Sequence, residues 1–346
     1  MRCRLILAVL GSLLVVSTAL PALAAATATL TIAVISDLND AYGSTTFSPE
    51  VETALRHIEE VRPDLVLCVG DMVAGQKASL TEDNLKAMWE GFEVAVLRRL
   101  SRAGLPLAFT FGNHDGPDTP SFARERRVAR TFWQSRRQPL AYVDARRYPE
   151  NYSFTLGGIF FAVLDASTAT LSQTQRDWLT VQLSRDAARH ARVRVVLGHL
   201  PLYALADGRN RPGDVLADAD GIHAWFCRLG IDYYLSGHHH AFFPSRKGSL
   251  RMIGAGALGG GPRPLLGSDR PPAKTLTFLS LGPTGKRFRT VTFQVTDHLR
   301  VIPLSDLPSE VHGFNGLSVR DDPAVDGGCE SARESETPQI PAAEKR

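Results

Sequence analysis

The sequence predicts an α/β chain in which two sheets pack face to face as a β-sandwich and helices cover their outer faces, and three observations carry that prediction. Short apolar runs alternate with helical segments from Leu30 to Phe111. The same alternation returns between Ile159 and Leu235. After Leu250 the pattern changes to closely spaced short strands separated by turns. Alternation of the first kind implies parallel strands with crossover helices, and closely spaced strands imply antiparallel pairing.

In order, the first half reads as a strand Leu30 to Ser36, a helix from about Pro49 to Val61, a strand Leu65 to Val69, a helix from about Thr81 to Ala103 and a strand Leu107 to Phe111. These strands are short and uniformly apolar, as expected where both faces are covered, and in such sheets the ligand site lies at the carboxyl ends of the strands. After Asp115 the pattern breaks into an arginine-rich insertion of about 116–150 with a helical piece from Ser121 to Trp133. Strands follow at Tyr152 to Leu156 and Ile159 to Leu164, then a helix Gln173 to Arg189, a strand Val193 to Leu197, a helix Ile222 to Leu229 and a strand Asp232 to Leu235. The remaining strands, Leu250 to Ile253, Thr275 to Leu281, Arg287 to Val295 and Leu299 to Pro303, are expected to form an antiparallel sheet completing the sandwich with the first.

The division expected along the 346 residues is a signal peptide over 1–24, one catalytic domain over 25–307 and a flexible tail over 308–346. Arg2 and Arg4 precede an apolar run from Leu5 to Leu20 and then Ala22-Leu23-Ala24, the build of a secretory signal with its cleavage site, so export to a periplasm or the medium is expected. No later segment is long and apolar enough to span a bilayer. Cys68, Cys227 and Cys329 then remain; none has metal-site spacing, and Cys68 sits in an apolar run as a small buried hydrophobe. The net charge of +3 is too small for the whole molecule to be a strong polyanion binder and by itself argues neither for nucleic acid nor against it. A nucleic-acid partner, for which only the arginine-rich insertion speaks, is not expected.

Five fragments at the ends of apolar runs carry the chemistry: Ser36-Asp37-Leu38-Asn39, Gly70-Asp71, Gly112-Asn113-His114-Asp115, Gly198-His199 and Gly237-His238-His239-His240. Asp, Asn and His supply oxygen and nitrogen ligands, and strands that stop at glycine turns aim them into one cleft. Singly, each is an ordinary cap or turn residue. As an ordered set they resemble the calcineurin-like metallophosphoesterase family, whose pattern runs Asp-x-His, Gly-Asp, Gly-Asn-His-Asp/Glu, His, Gly-His-x-His. The resemblance covers roughly Thr31 to Val295 and implies the same two-sheet sandwich.

It also implies a metal-binding set of Asp37, Asn39, Asp71, Asn113, His199, His238 and His240. Asp71 would bridge two divalent ions; Asp37 and His240 would complete the first site, and Asn113, His199 and His238 the second. His238 and His240, two apart in an extended segment, point to one side, and His239 points away. Asn39 stands where the family carries a histidine. An amide oxygen is a weaker donor than imidazole toward late transition metals, so a looser first site is expected, with Mn or Fe ahead of Zn. Ala74 stands where purple acid phosphatases carry an iron-bound tyrosine, which disfavours that variant.

His114 and Asp115 are the implied catalytic pair. A metal-activated hydroxide would attack phosphorus, His114 would protonate the leaving alkoxide, and Asp115 would hydrogen-bond His114 to fix its tautomer. Around this centre, Tyr42, Ser44 and Tyr203 are placed at the mouth of the cleft, Gly254 to Gly261 is read as a flexible loop, and most arginines between Arg124 and Arg147 as a solvated face. The function expected is hydrolysis of a small phosphate monoester or diester by an exported phosphoesterase. A second reading, a catalytically weak, metal-dependent envelope binding protein, would follow if Asn39 had cost the chain its first metal. Retention of His114 and Asp115 argues against it, because a binder needs no proton donor.

Overall fold

The computed structural model describes residues 29–322. The proposed signal peptide and Cys329 lie outside them. In chain order the elements are β1 (Leu30–Ile35), α1 (Pro49–Val61), β2 (Leu65–Cys68), α2 (Glu82–Phe92), a π-helical turn (Glu93–Leu97), α3 (Arg98–Arg102), β3 (Leu107–Phe109), α4 (Ala123–Gln134), β4 (Ala141–Arg147), β5 (Asn151–Leu156) and β6 (Ile159–Val163). They continue as α5 (Gln173–Ser184), α6 (Asp186–Arg189), β7 (Val193–Leu197), α7 (Ala219–Arg228), β8 (Tyr233–Ser236), β9 (Phe243–Lys247), β10 (Leu250–Gly254), β11 (Thr275–Leu281), β12 (Arg289–Val295), β13 (Leu299–Val301), β14 (Glu310–Gly313) and β15 (Gly316–Arg320).

Two mixed sheets result, ordered β13-β12-β11-β1-β2-β3 and β14-β15-β9-β10-β8-β7-β6-β5-β4. The parallel centre of the first is β1-β2-β3, and that of the second is β6-β7-β8-β10. Each central strand is apolar on both faces because each face has its own partner. Along β1, Ile32 and Val34 enter the core between the sheets, beside Leu67, Phe161, Val195 and Leu235. Ala33 and Ile35 point the other way, into the layer under α1 to α4 with Leu55, Ile58, Trp89 and Trp133. The far face of the second sheet buries Phe160, Val196 and Tyr234 against Leu179, Ile222 and Phe226 of α5 and α7.

Four expectations are corrected. Strands β11 to β13 do not build the second sheet; β11 pairs antiparallel with β1 and extends the first. The helix expected over Thr81 to Ala103 is broken by the π turn at Glu93–Leu97. Its start is sharp, because Thr81 and Asn84 cap each other reciprocally. The tail does not begin at 308: β14 and β15 lie on the edge of the second sheet, with β15 paired to β9. The segment from Gly254 is no loose loop either, since the amides of Leu258, Gly259 and Gly260 donate to the carbonyls of Ser36, Asp37 and Asn39 at 3.1, 2.7 and 2.8 Å.

The outer edge of β3 is closed across the sandwich by Tyr152 of β5, whose hydroxyl accepts from the Phe109 amide at 2.8 Å and donates to its carbonyl at 2.6 Å. An edge strand so short otherwise exposes unpaired backbone. No described helix is long and apolar enough to cross a membrane.

Candidate metal centre

The carboxyl ends of the parallel strands from both sheets meet at one point, and the five fragments sit there. Asp37 follows β1, Asp71 follows β2, Asn113 follows β3, His199 follows β7, and His238 and His240 follow β8. Four of these residues have left-handed backbones: Asp37, Asp71, His238 and His240, with φ of 49, 54, 63 and 53°. Side chains other than glycine enter that region at a cost on the order of 1–3 kcal/mol each, tolerated where the surroundings over-determine the conformation. Here they do. The Asp37 amide donates to the Gly70 carbonyl at 3.0 Å, Leu38 to Asp71 at 2.8 Å, and Gly237 to His199 at 2.9 Å. Close approach also demands glycine between the ligands: a Cβ on Gly112 would lie 2.1 Å from Asp71 Oδ1, and one on Gly70 2.4 Å from His199 Nδ1.

Two donor sets share Asp71. One joins Asp71, His199 and His238; the other joins Asp37, Asp71 and His240, and within each set one ligand atom per residue lies within 4.8 Å of the others. His199 Nε2 is 3.4 Å from Asp71 Oδ2 and 3.0 Å from Asn113 Oδ1, and His240 Nε2 is 3.3 Å from Asp37 Oδ1. The opposite nitrogens fix the tautomers. His199 Nδ1–H donates to the Val69 carbonyl and His240 Nδ1–H to that of Gly261, both at 2.8 Å, so each Nε2 presents its lone pair inward. His238 is turned the other way: its Nε2 meets Asp214 Oδ1 at 3.3 Å, leaving Nδ1 to face the centre.

Three buried polar atoms on the ligand-bearing fragments have no hydrogen-bond partner: Asp71 Oδ2, His238 Nδ1 and Asn39 Oδ1. A buried acceptor left unpaired costs about 1–3 kcal/mol, and a bound cation removes that cost. The mixed oxygen and imidazole donors suit a first-row divalent ion, so the residues fit the metals that the sequence implies. Asn39, two residues after Asp37, is 7% exposed, and its amide oxygen is one of the three orphans.

The electrostatics keep the two carboxylates ionised, as binding of a cation requires. Burial opposes ionisation of Asp71 and Asp37, yet His199 and His114 hold the first, and His240 the second, below the usual carboxylate range. His199 is drawn up to about 9 by Asp71 against the effect of burial, whereas burial takes His238 down to about 4. His239 points away as expected, accepting from the Leu205 amide at Nδ1 and donating from Nε2 to the Asp214 carbonyl.

The expected Asp115–His114 contact is absent. Asp115 Oδ1 accepts from the amides of Met72 and Val73 at 2.8 and 3.0 Å, and Oδ2 from Gly112 at 2.8 Å. It staples the second and third fragments together and touches no proton in the cleft. The tight Asn113–Asp115 turn aims the carboxylate back along the chain and the imidazole outward. His114 is oriented by a carbonyl: its Nδ1–H donates to Gly75 at 2.9 Å, its own amide donates to Asp71 Oδ1 at 2.8 Å, and Nε2 is left for the cleft. The Tyr42 ring lies 5.3 Å from that of His114, at the mouth as expected. Tyr203 is not there; it is 2% exposed and bonds Asp220 and Lys247.

Three supporting residues escaped the sequence reading. Gln76, at φ 65°, accepts from Asn113 Nδ2 at 2.7 Å. Glu125, from α4 in the insertion, accepts from the amides of Gln76 and Lys77 at 2.7 and 3.3 Å. Asp214 holds His238 and is itself held by Arg209 and Arg211, each at 2.8 Å. No local pattern marks them, because each acts on a fragment far away in sequence. Their neighbour Arg126 is no solvated arginine: it is 5% exposed, paired with Asp165, and donates to the Gly116 carbonyl at 2.9 Å.

The model of the calcineurin-like phosphoesterase family matches residues 30–242. Among curated relatives, the serine/threonine-protein phosphatase CPPED1 of Homo sapiens is 27% identical over 234 residues, covering 60% of this chain and 64% of that protein. Its Rattus norvegicus counterpart is 27% identical over 229 residues with the same coverage. The match thus spans less than two thirds of those relatives' length. Among solved structures, a purple acid phosphatase from yellow lupin (Lupinus luteus) superposes with a TM-score of 0.58 at 14% identity, over 78% of this chain and 52% of that one. A dimetal phosphatase from Danio rerio gives 0.52 at 13% identity, over 79% and 98%. At these identities the two structures establish the metallophosphoesterase fold. The matched span ends beside the last histidine of the cluster and takes in every strand end that supplies it: the chain belongs to the calcineurin-like phosphoesterase family.

Proposed function

We propose that this chain is an exported, metal-dependent phosphatase that hydrolyses a phosphate monoester at a dinuclear centre held by Asp37, Asn39, Asp71, Asn113, His199, His238 and His240. The carrying observation is that two three-residue donor sets share one carboxylate, Asp71, whose buried Oδ2 has no hydrogen-bond partner. Two divalent ions bound there would supply an activated water and neutralise charge on the phosphoryl group. The chain's own contribution is position. Asp71 is anchored by the His114 amide, so the shared ligand and the proton donor are set by one hydrogen bond. With Nδ1–H fixed on Gly75, His114 Nε2 is the atom that gives a proton to the departing alkoxide. Tyr42 and Lys77, whose ammonium is 6.0 Å from the Tyr42 ring, flank the side from which that alkoxide leaves.

Export rests on the arginines and apolar run before Ala25. The likeness to CPPED1, a serine/threonine-protein phosphatase, makes phosphoserine and phosphothreonine peptides the first protein substrates to try. The test is hydrolysis of para-nitrophenyl phosphate, its bis-ester and those peptides by the full chain, stripped and reloaded with Mn, Fe or Zn, alongside Asp71→Asn with its metal content measured. Metal-dependent monoester turnover, reduced at least 100-fold in Asp71→Asn together with loss of bound metal, is the expected result. Turnover and metal content unchanged in that variant would overturn the assignment.

A further inference from the structure

A cleft of about 440 Å³ opens at the other end of the first sheet, where Gly104, Leu105 and Pro106 lead into β3. Asn113 lies past the opposite end of that strand, so the cleft is roughly 20 Å from the metal centre along the extended backbone. Its walls carry four arginines, Arg98 and Arg102 on one side and Arg136 and Arg137 on the other, against a single carboxylate, Glu93. Glu93 is shared: Arg98 meets it at 3.3 Å and Arg136 at 2.6 Å. Arg102 and Arg137 form no ion pair among the described residues. Arg137 is instead laid over the rings of Tyr142 and Tyr148, at 4.5 and 5.8 Å, which holds a planar guanidinium in place without neutralising it.

The wall that supplies Glu93 and Leu97 is the π-helical turn, of which they are the first and last residues. Such turns are rare and occur frequently at functional sites. The volume is in the range of small-molecule sites, and guanidiniums recognise phosphate oxygens through paired N–H donors. Four guanidiniums against the one Glu93 carboxylate leave the cleft about three positive charges, and two linked phosphate groups, at about −1.5 to −2 each at neutral pH, supply at least that many negative ones, where a single phosphate would not.

We propose that this cleft is a second anion site, separate from the metal centre, that takes a small molecule bearing two linked phosphate groups, with Arg102 and Arg137 as its principal contacts. The probes are pyrophosphate and inorganic phosphate, titrated calorimetrically into the full chain, Asp71→Asn, Arg102→Glu and Arg102→Ala/Arg137→Ala. A saturable pyrophosphate site is expected to persist in Asp71→Asn, to bind pyrophosphate at least tenfold more tightly than phosphate, and to weaken at least tenfold in either arginine variant. Arg102→Glu changes an exposed side chain and keeps para-nitrophenyl phosphate turnover at the parent level, which controls for folding. Pyrophosphate binding that vanishes in Asp71→Asn, or that is equal in the parent and both arginine variants, would overturn the proposal.

Discussion

Asp214 reaches the metal centre only through His238, so removing it isolates the value of holding one imidazole still. In Asp214→Ala, His238 Nε2 loses its acceptor at 3.3 Å, and the ring is free to turn its Nδ1 away from Asp71. Partners of this kind are typically worth 10- to 100-fold in metal affinity, or roughly 1.4–2.7 kcal/mol. A second effect acts in the same direction. Arg209 and Arg211, now bound to Asp214 at 2.8 Å each, would be left as unpaired cations beside the site. The triple variant Asp214→Ala/Arg209→Ala/Arg211→Ala separates the two: affinity recovered in it measures repulsion, and affinity still missing measures orientation. The backbone contact from His239 to the Asp214 carbonyl survives the substitution, so the loop keeps its anchor. The assay is retained metal per chain across a chelator series, with para-nitrophenyl phosphate turnover in parallel. We expect one of two ions to be lost at tenfold or more lower chelator strength. Both ions held as tightly as in the parent would refute the role given to Asp214.

Glu125→Ala should lower kcat about tenfold with little change in KM, because it releases the Gln76 and Lys77 amides that steady Asn113 and, through Gly75, His114; equal kcat in stopped assays of both proteins would count against it. Asn39→His should raise the affinity of the first site for Zn by about tenfold, imidazole replacing an amide oxygen, as read by competition with a zinc-binding dye. Asp144, hydrogen-bonded to Arg146 and to Gln182 of α5, has its carboxyl pulled down to about 2. A depressed carboxyl contributes stability above its unfolded value of 3.8 that is lost as pH falls through the folded value, so the contribution of about 2 kcal/mol should disappear between about pH 4 and pH 2. Urea unfolding of Asp144→Asn should show a deficit of that size at pH 6 and none at pH 2.

The strand-end placement of the seven proposed ligands was legible because its signal is doubly local: an apolar run fixes the strand, and a glycine beside a polar residue fixes where it stops. Strand membership was not, since β11 joins β1 through a register that links Leu30 to Leu281, and nothing in either segment encodes the other. The edge strand β4 was hidden by its exposed Arg146 and Arg147, and β14 and β15 by residues that read as tail. Asp115 was misassigned for a subtler reason. Adjacency to His114 suggested contact, but in a turn of three residues neighbouring side chains diverge, and the carboxylate found backbone amides instead. Gln76, Glu125 and Asp214 were invisible because a partner's partner leaves no periodic trace.

The insertion packs Val128, Ala129, Phe132 and Trp133 of α4 into the core, and beside that apolar face it reaches the loops around the site through two adjacent residues of opposite sign. Glu125 grips the loop after Asp71, and Arg126 grips Asp165 and the carbonyl of Gly116, while Arg127, Arg130 and Arg136 spend their charge on Glu82, Glu150 and Glu93 at the periphery. This is the mechanical layout of an exchangeable cover. The outer face of α4 can change in charge and shape without displacing a side chain of the candidate centre. The Glu125–Arg126 pair is different, because changing either side chain releases a loop that carries the site: Gln76 and Lys77 on one side, Gly116 on the other.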